Sequence, residues 1–206
     1  QTKYALILNP DTQLKKNTID NLISCSRQIP DFALIAPKII DENQKKTEVE
    51  EINNKNFSEV SIIKGFAILL NKEVMVDIGL FDENFFLYFE EIDLCKRVLK
   101  NDKKIFLAHD AEVSHEGGSS HVKEINKEME LSRNWHYMWS KFYFYKKHYG
   151  FIYSLAHISP NFFSSIIKFL LFTITFQEEK KQIYYHRMSG IYNSIMGRKA
   201  WFRPKF

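Results

Sequence analysis

Residues 4–36 read YALILNPDTQLKKNTIDNLISCSRQIPDFALIA, and this stretch decides the fold. Tyr4-Ala5-Leu6-Ile7-Leu8 and Phe32-Ala33-Leu34-Ile35-Ala36 are short apolar runs suited to strands buried on both faces. Between them Leu14, Thr18, Leu22, Cys25 and Ile29 recur at helical spacing until Pro30 stops the pattern. Asn9-Pro10-Asp11-Thr12 reads as a turn. Strand, helix and strand within so short a span make a βαβ unit, so a parallel sheet is expected.

Working outward, Asp41 to Asn56 is charged and Asn-rich and reads as a surface loop. Val60 to Lys64 and Phe66 to Leu70 are apolar runs joined at Gly65. Lys72 to Ile78 reads as a short helix closed by Gly79, and Glu90 to Lys100 as another ended by Asn101-Asp102. Lys104 to Leu107 and Ala111 to Ser114 have the look of two short strands. From about Glu124 the pattern is helical: Ile125 to Tyr149, then Phe151 to Phe176 interrupted by Pro160 and Lys168, then Gln182 to Met196. The expected division is a domain over 1–123 and a helical appendage over 124–206.

Charge divides the chain in the same way. Residues 1–130 hold 17 Lys and Arg against 23 Asp and Glu, a net −6, whereas residues 131–206 hold 12 against 2, a net +10. Of the 31 aromatic residues, 21 follow residue 130. Acidic and basic-aromatic halves suggest two tasks. With 45% hydrophobic residues the chain can bury a core, which excludes wholesale disorder. Cys25 and Cys95, far apart and without a CxxC, cannot make a disulfide framework or a zinc knuckle, so a reducing compartment is the default. The basic residues follow no RNP, KH or helix-turn-helix pattern, which argues against nucleic acid as a partner. Gln1-Thr2-Lys3 leads straight into a strand, with no initiator Met and no targeting segment, so the chain reads as one cut inside a domain.

Three features could carry chemistry. Asp11 follows an apolar strand, the place where open α/β sheets bind ligands. It could hold a divalent cation beneath a diphosphate, or make an ordinary Asx turn before the helix. Glu90, Glu91 and Asp93 open a helix behind the aromatic run Phe81 to Phe89. They could supply a general base, since like charges beside apolar surface favour the protonated form. They equally suit the helix dipole, and Asp93 and Arg97 are spaced for an i,i+4 ion pair. His115 precedes Glu116-Gly117-Gly118-Ser119, a combination able to offer imidazole to a metal and backbone N–H groups to phosphate.

In order and spacing, these features resemble the second half of the family 2 inverting glycosyltransferases of GT-A fold, in their rhamnosyltransferase-like branch. The resemblance rests on Leu8-Asn9-Pro10-Asp11-Thr12, Ala36-Pro37-Lys38, Gly65-Phe66-Ala67, Gly79-Leu80-Phe81-Asp82-Glu83, the run Phe86 to Arg97, His115-Glu116-Gly117-Gly118-Ser119 and Arg133-Asn134. It implies a GT-A-like α/β fold with a mixed, mainly parallel sheet flanked by helices, lacking its N-terminal nucleotide-binding half and followed by a helical region. It also implies Asp11 and His115 as ligands of Mg²⁺ or Mn²⁺, and Glu91 as catalytic base, with Glu90 and Asp93 as alternatives. The family's usual base is the Asp of a Glu-Asp pair, so Glu91 is a departure. Asn9, Gly65, Phe66, Gly117, Gly118 and Arg133 stand at substrate-binding positions. The partners implied are a nucleoside-diphosphate sugar and a glycan or lipid-linked acceptor, in polysaccharide or cell-envelope glycan synthesis. A non-catalytic, partner-dependent remnant is the alternative.

The C-terminal region adds an expectation of its own. Pro160 and Lys168 interrupt the apolar stretch, so an interfacial anchor on anionic lipid is expected rather than a membrane span. The other reading is a helical subdomain with a solvated basic face. The corresponding location is cytoplasmic, peripheral at the cytoplasmic face of the membrane.

Overall fold

The computed structural model describes residues 2–40, 56–115 and 126–204. Its contacts define two compact units, one drawn from residues 1–81 and 91–120, the other from 82–90 and 121–206. Residues 82–90 therefore go with the helical unit, although in sequence they fall inside the expected 1–123 domain.

The first unit is built on a six-stranded sheet. Its strands are β1 (Tyr4–Leu8), β2 (Thr12–Leu14), β3 (Phe32–Ile39), β4 (Phe57–Glu59), β5 (Ala67–Asn71) and β6 (Lys104–His115). The order is β1-β5-β3-β6-β2, with β4 also on β6. The sheet is mixed, as expected, but not mainly parallel. Only β3 and β6 pair in parallel among the described residues; β1–β5, β3–β5, β2–β6 and β4–β6 are antiparallel. The βαβ expectation is corrected in one respect. Strands β1 and β3 run the same way, but β5 lies antiparallel between them, with Leu6 opposite Leu69 and Ile35 opposite Leu69 on its other side. An apolar run shows that a strand is buried; it does not encode which neighbour it takes or in which direction.

Helices α1 (Thr18–Gln28), α2 (Lys72–Ile78) and α3 (Glu90–Lys100) cover this sheet. Successive strand residues point to opposite faces. Leu34, Ile68, Leu70 and Ile105 pack with Met75, Leu94 and Val98 from α2 and α3. Phe32, Ile35, Leu69 and Phe106 pack with Leu22 and Cys25 from α1. Helix α1 begins four residues later than its periodicity suggested, because Leu14 is spent in β2 opposite Val113. The two short strands expected near residues 104–114 are one strand. Residues 109–111 of β6 find no partner on β3 between the pairs Pro37–Ala108 and Lys38–Glu112, and this bulge is where the apolar pattern breaks.

The second unit packs α4 (Asn126–Tyr149), α5 (Phe151–Ile174) and α6 (Glu178–Ile195) around Met138, Phe142, Ile158 and Ile191. Trp135 donates its indole N–H to Ser189 Oγ (3.1 Å), and Ser194 Oγ donates to the Trp139 carbonyl (2.9 Å). Pro160 does not break α5, contrary to the sequence expectation. A proline deprives the carbonyl four residues earlier of its donor. Here Ser159 Oγ donates to that carbonyl, on Ala156, at 2.9 Å.

Candidate functional site

In the first unit, the end of β1 turns sharply. The Asn9 N–H donates to the Phe66 carbonyl (2.8 Å), and the Thr12 N–H to the Asn9 carbonyl (3.1 Å). Pro10 and Asp11 form the centre of this turn, where the fixed φ of proline suits the second position. Thr12 then pairs with His115 across the β2–β6 ladder. The backbone thus carries Asp11 and His115 to neighbouring positions at one end of the sheet. The side chain of His115 is outside the described set, and so are Gly117 and Gly118.

Phe66, the acceptor for Asn9, follows Gly65. A Cβ on Gly65 would stand 3.6 Å from the Cβ of Glu91, in ordinary contact. Asn9, Asp11, Gly65, Phe66 and Glu91 are therefore linked through successive neighbours, although they come from three separate parts of the chain. Glu91 is half-buried, and its Oε2 is buried without a hydrogen-bond partner among the described residues. Leaving a buried acceptor unmet is costly, and such atoms are rare in native structures.

Asp93 has a different place. It is fully buried and receives Arg97 Nε at 2.8 Å, the i,i+4 pair the spacing suggested. Arg97 also donates to the carbonyls of Ile78 (2.8 Å), Gly79 (2.9 Å) and Leu80. These are orphan acceptors at and beyond the C-terminal end of α2. Asp93 thus fixes the guanidinium that closes α2 and joins it to α3.

In the second unit, residues 82–90 pack along α4. Asp82 accepts Lys147 Nζ (2.7 Å) and the Tyr143 hydroxyl (3.0 Å), while Asn84 donates both its N–H and its amide to the other oxygen. Burial works to raise the Asp82 pKa, but the hydrogen bonds from Lys147 and Asn84 outweigh it and bring the value down to about 2. Phe85 meets the Tyr143 ring edge-on, Phe89 lies against Tyr137 and Phe144, and Ser140 Oγ donates to the Leu87 carbonyl at 2.7 Å. These contacts hold Tyr88 and Phe89 in the left-handed region, with φ of 66° and 71°. Each such non-glycine residue costs about 1–2 kcal/mol, a strain that persists only because the surrounding contacts over-determine it. Glu90 and α3 come directly after Phe89 in the chain. Burial raises the Tyr88 phenol, with Arg133 opposing the rise and Glu90 adding to it, so Arg133 and Glu90 both act on this ring.

The sequence reading missed Tyr88, the Asp82–Lys147 pair and the carbonyl clamp of Arg97. Asp82-x-Asn84 carried a local turn signal. Nothing in the order of residues linked Asp82 to Lys147, 65 positions away.

Among the described residues no group of three or more His, Cys, Asp or Glu side chains could hold a metal ion. Mg²⁺ does not require a closed protein cage, since it is commonly bound by one or two carboxylates together with substrate phosphates. Asp11 and position 115, which the backbone brings next to each other, are of the residue types such an open site uses.

Compared with known proteins, the chain is similar to the low-salt glycan biosynthesis hexosyltransferase Agl10 of Haloferax volcanii, at 26% identity over 117 residues. The match covers 48% of this chain and 38% of that protein, well under half of the relative's length. No protein-family model matches the chain. The similarity supports a distant, glycosyltransferase-like relationship.

Proposed function

We propose that the chain carries the transfer half of an inverting, GT-A-type glycosyltransferase of family 2. It would move a hexose from a nucleoside-diphosphate donor to a hydroxyl of a glycan or lipid-linked acceptor. The sequence resemblance alone points to rhamnose. The observation that carries the reading is the Glu91 carboxylate, with its unpartnered buried oxygen beside Gly65 and one residue from the carbonyl that anchors the Asp11 turn.

Glu91 takes the proton of the acceptor hydroxyl on a carboxylate oxygen. The acceptor oxygen forms its bond to the anomeric carbon from the face opposite the leaving group. The bond from that carbon to the diphosphate breaks, and the nucleoside diphosphate departs with the electron pair. Asp11 and His115 are the residues that would hold Mg²⁺ or Mn²⁺, whose part is to take up negative charge on the departing diphosphate. Asn9, Gly65 and Phe66 would take part in holding the substrate, Gly65 standing directly against Glu91 and Phe66 anchoring the Asn9 turn. Asp93 is excluded as base on this reading, because Arg97 already occupies it.

Glu91→Gln keeps the shape and removes the base. Transfer from a nucleoside-diphosphate hexose should fall ~10²–10⁴-fold, while donor binding, followed by calorimetry, stays within twofold or so. Equal loss of binding and transfer would make Glu91 structural. Absence of donor turnover by the unsubstituted chain, with and without Mg²⁺, would favour the non-catalytic reading.

A further inference from the structure

Helix α5 is apolar on its outward face as well as on the face it packs through Leu155, Ile158 and Phe162. Its buried face carries Ser154, Ile158 and Ser165, and beside them Asn161 accepts Lys141 Nζ at 2.9 Å. Ser154 and Ser165 return their hydroxyls to α5's own carbonyls at 2.7 Å. Its outward face carries Ile152, Phe163, Ile167, Leu170, Leu171 and Ile174, each between 50% and 78% exposed. At 3.6 residues per turn these six fall within an arc of about 100°, an unbroken apolar stripe without a charge. A helix in water buries its apolar side; this one presents a second apolar side to the outside, over a length and composition sufficient to cross a membrane.

What borders the stripe identifies its partner. Lys168 lies over the Tyr184 ring (5.2 Å) and Lys180 over the Phe172 ring (5.3 Å). The exposed rings of Tyr149 and Tyr153 stack 5.0 Å apart at the N-terminal end of α5. Amphipathic rings and snorkelling lysines are the residues of a lipid–water boundary. Residues 131–206 carry a net +10, which attracts anionic headgroups and repels a second copy of the same surface. Helix α6, which opens Glu178-Glu179-Lys180-Lys181, is too polar to be immersed beside α5. We propose that α5 lies along the surface of an anionic bilayer, its stripe among the acyl chains and the flanking lysines among the headgroups. This goes beyond the transfer chemistry and does not depend on it.

The test is flotation of the full chain with vesicles of phosphatidylcholine, alone or mixed with phosphatidylglycerol. Binding to the mixed vesicles is expected, weaker on phosphatidylcholine alone and weakened by salt. Phe163→Asp with Ile167→Asp, both outward and checked for retained helicity by circular dichroism, should cut binding by roughly tenfold or more. No flotation with either vesicle, or flotation that the double variant leaves unchanged, overturns the proposal. So does a dimer in vesicle-free buffer that the double variant dissolves while vesicles bind neither protein. Resistance to alkaline carbonate extraction would mean that α5 crosses the bilayer, and would overturn it too.

Discussion

Asp93 and Glu91 stand two residues apart in one acidic cluster, yet they have opposite surroundings. Asp93 is sealed from solvent and spent on Arg97, while Glu91 keeps a buried oxygen unpartnered among the described residues. Helical geometry separates them, since residues two apart on an α-helix face different sides. Spacing made Asp93–Arg97 a readable pair. That the guanidinium also serves three α2-end carbonyls was not readable, because those carbonyls lie 17–19 residues away. Removing one partner of a buried pair strands the other. Asp93→Asn should cost about 3 kcal/mol, read as a lower midpoint in urea unfolding with an unchanged slope. A change below about 0.5 kcal/mol, typical of a surface site, would show that the pair is dispensable.

At the scale of elements, two surprises have steric causes. Strand β5 fits between β1 and β3, its buried Ala67 to Leu70 supplying apolar side chains to both faces of the sheet. Helix α5 survives Pro160 because Ser159 replaces the missing donor. A third feature concerns how closely α6 approaches α4. A Cβ on Gly190 would lie 2.3 Å from the Trp135 carbonyl oxygen, a backbone atom that cannot swing aside. Gly190→Ala should therefore destabilise the helical unit by about 1–3 kcal/mol, although alanine is the better helix former. Thermal unfolding followed at 222 nm would check it; an unchanged or raised midpoint would mean that the helices separate without cost.

For the molecule as a whole, the charge asymmetry corresponds to two units of different construction, a sheet covered by helices and an all-helical unit with an apolar outer stripe. The helical unit is closed by its own C-terminal segment. His136, fully buried on α4, donates Nε2–H to the Phe202 carbonyl at 2.7 Å. Burial lowers its pKa from 6.5 to about 4, with the Phe202 carbonyl opposing the fall and Arg203 adding to it. Because the folded value lies below the unfolded one, the neutral ring's contribution is complete above pH 6.5 and is lost as pH falls through 4. Full loss amounts to about 3 kcal/mol. The helical unit should therefore weaken on acidification across that window, and His136→Gln, which can keep the bond to Phe202, should flatten the profile. Equal pH dependence in both proteins would assign it to other groups.

By itself the sequence determined what is local or periodic. That includes the α/β class, the apolar strands, α2, α3 and their ends, the Asn9–Thr12 turn, the Asp93–Arg97 pair and the contrast in charge between the two halves. Those features depend on neighbours within a turn or two, and residue order reports such neighbours directly. Tertiary structure alone decided the antiparallel place of β5, the meeting of Gly65 with Glu91 and of Thr12 with His115, the packing of residues 82–90 on α4, and which face of α5 looks outward. Each of these joins groups distant along the chain, or sets an orientation, and apolar periodicity says that a surface is covered without saying by what.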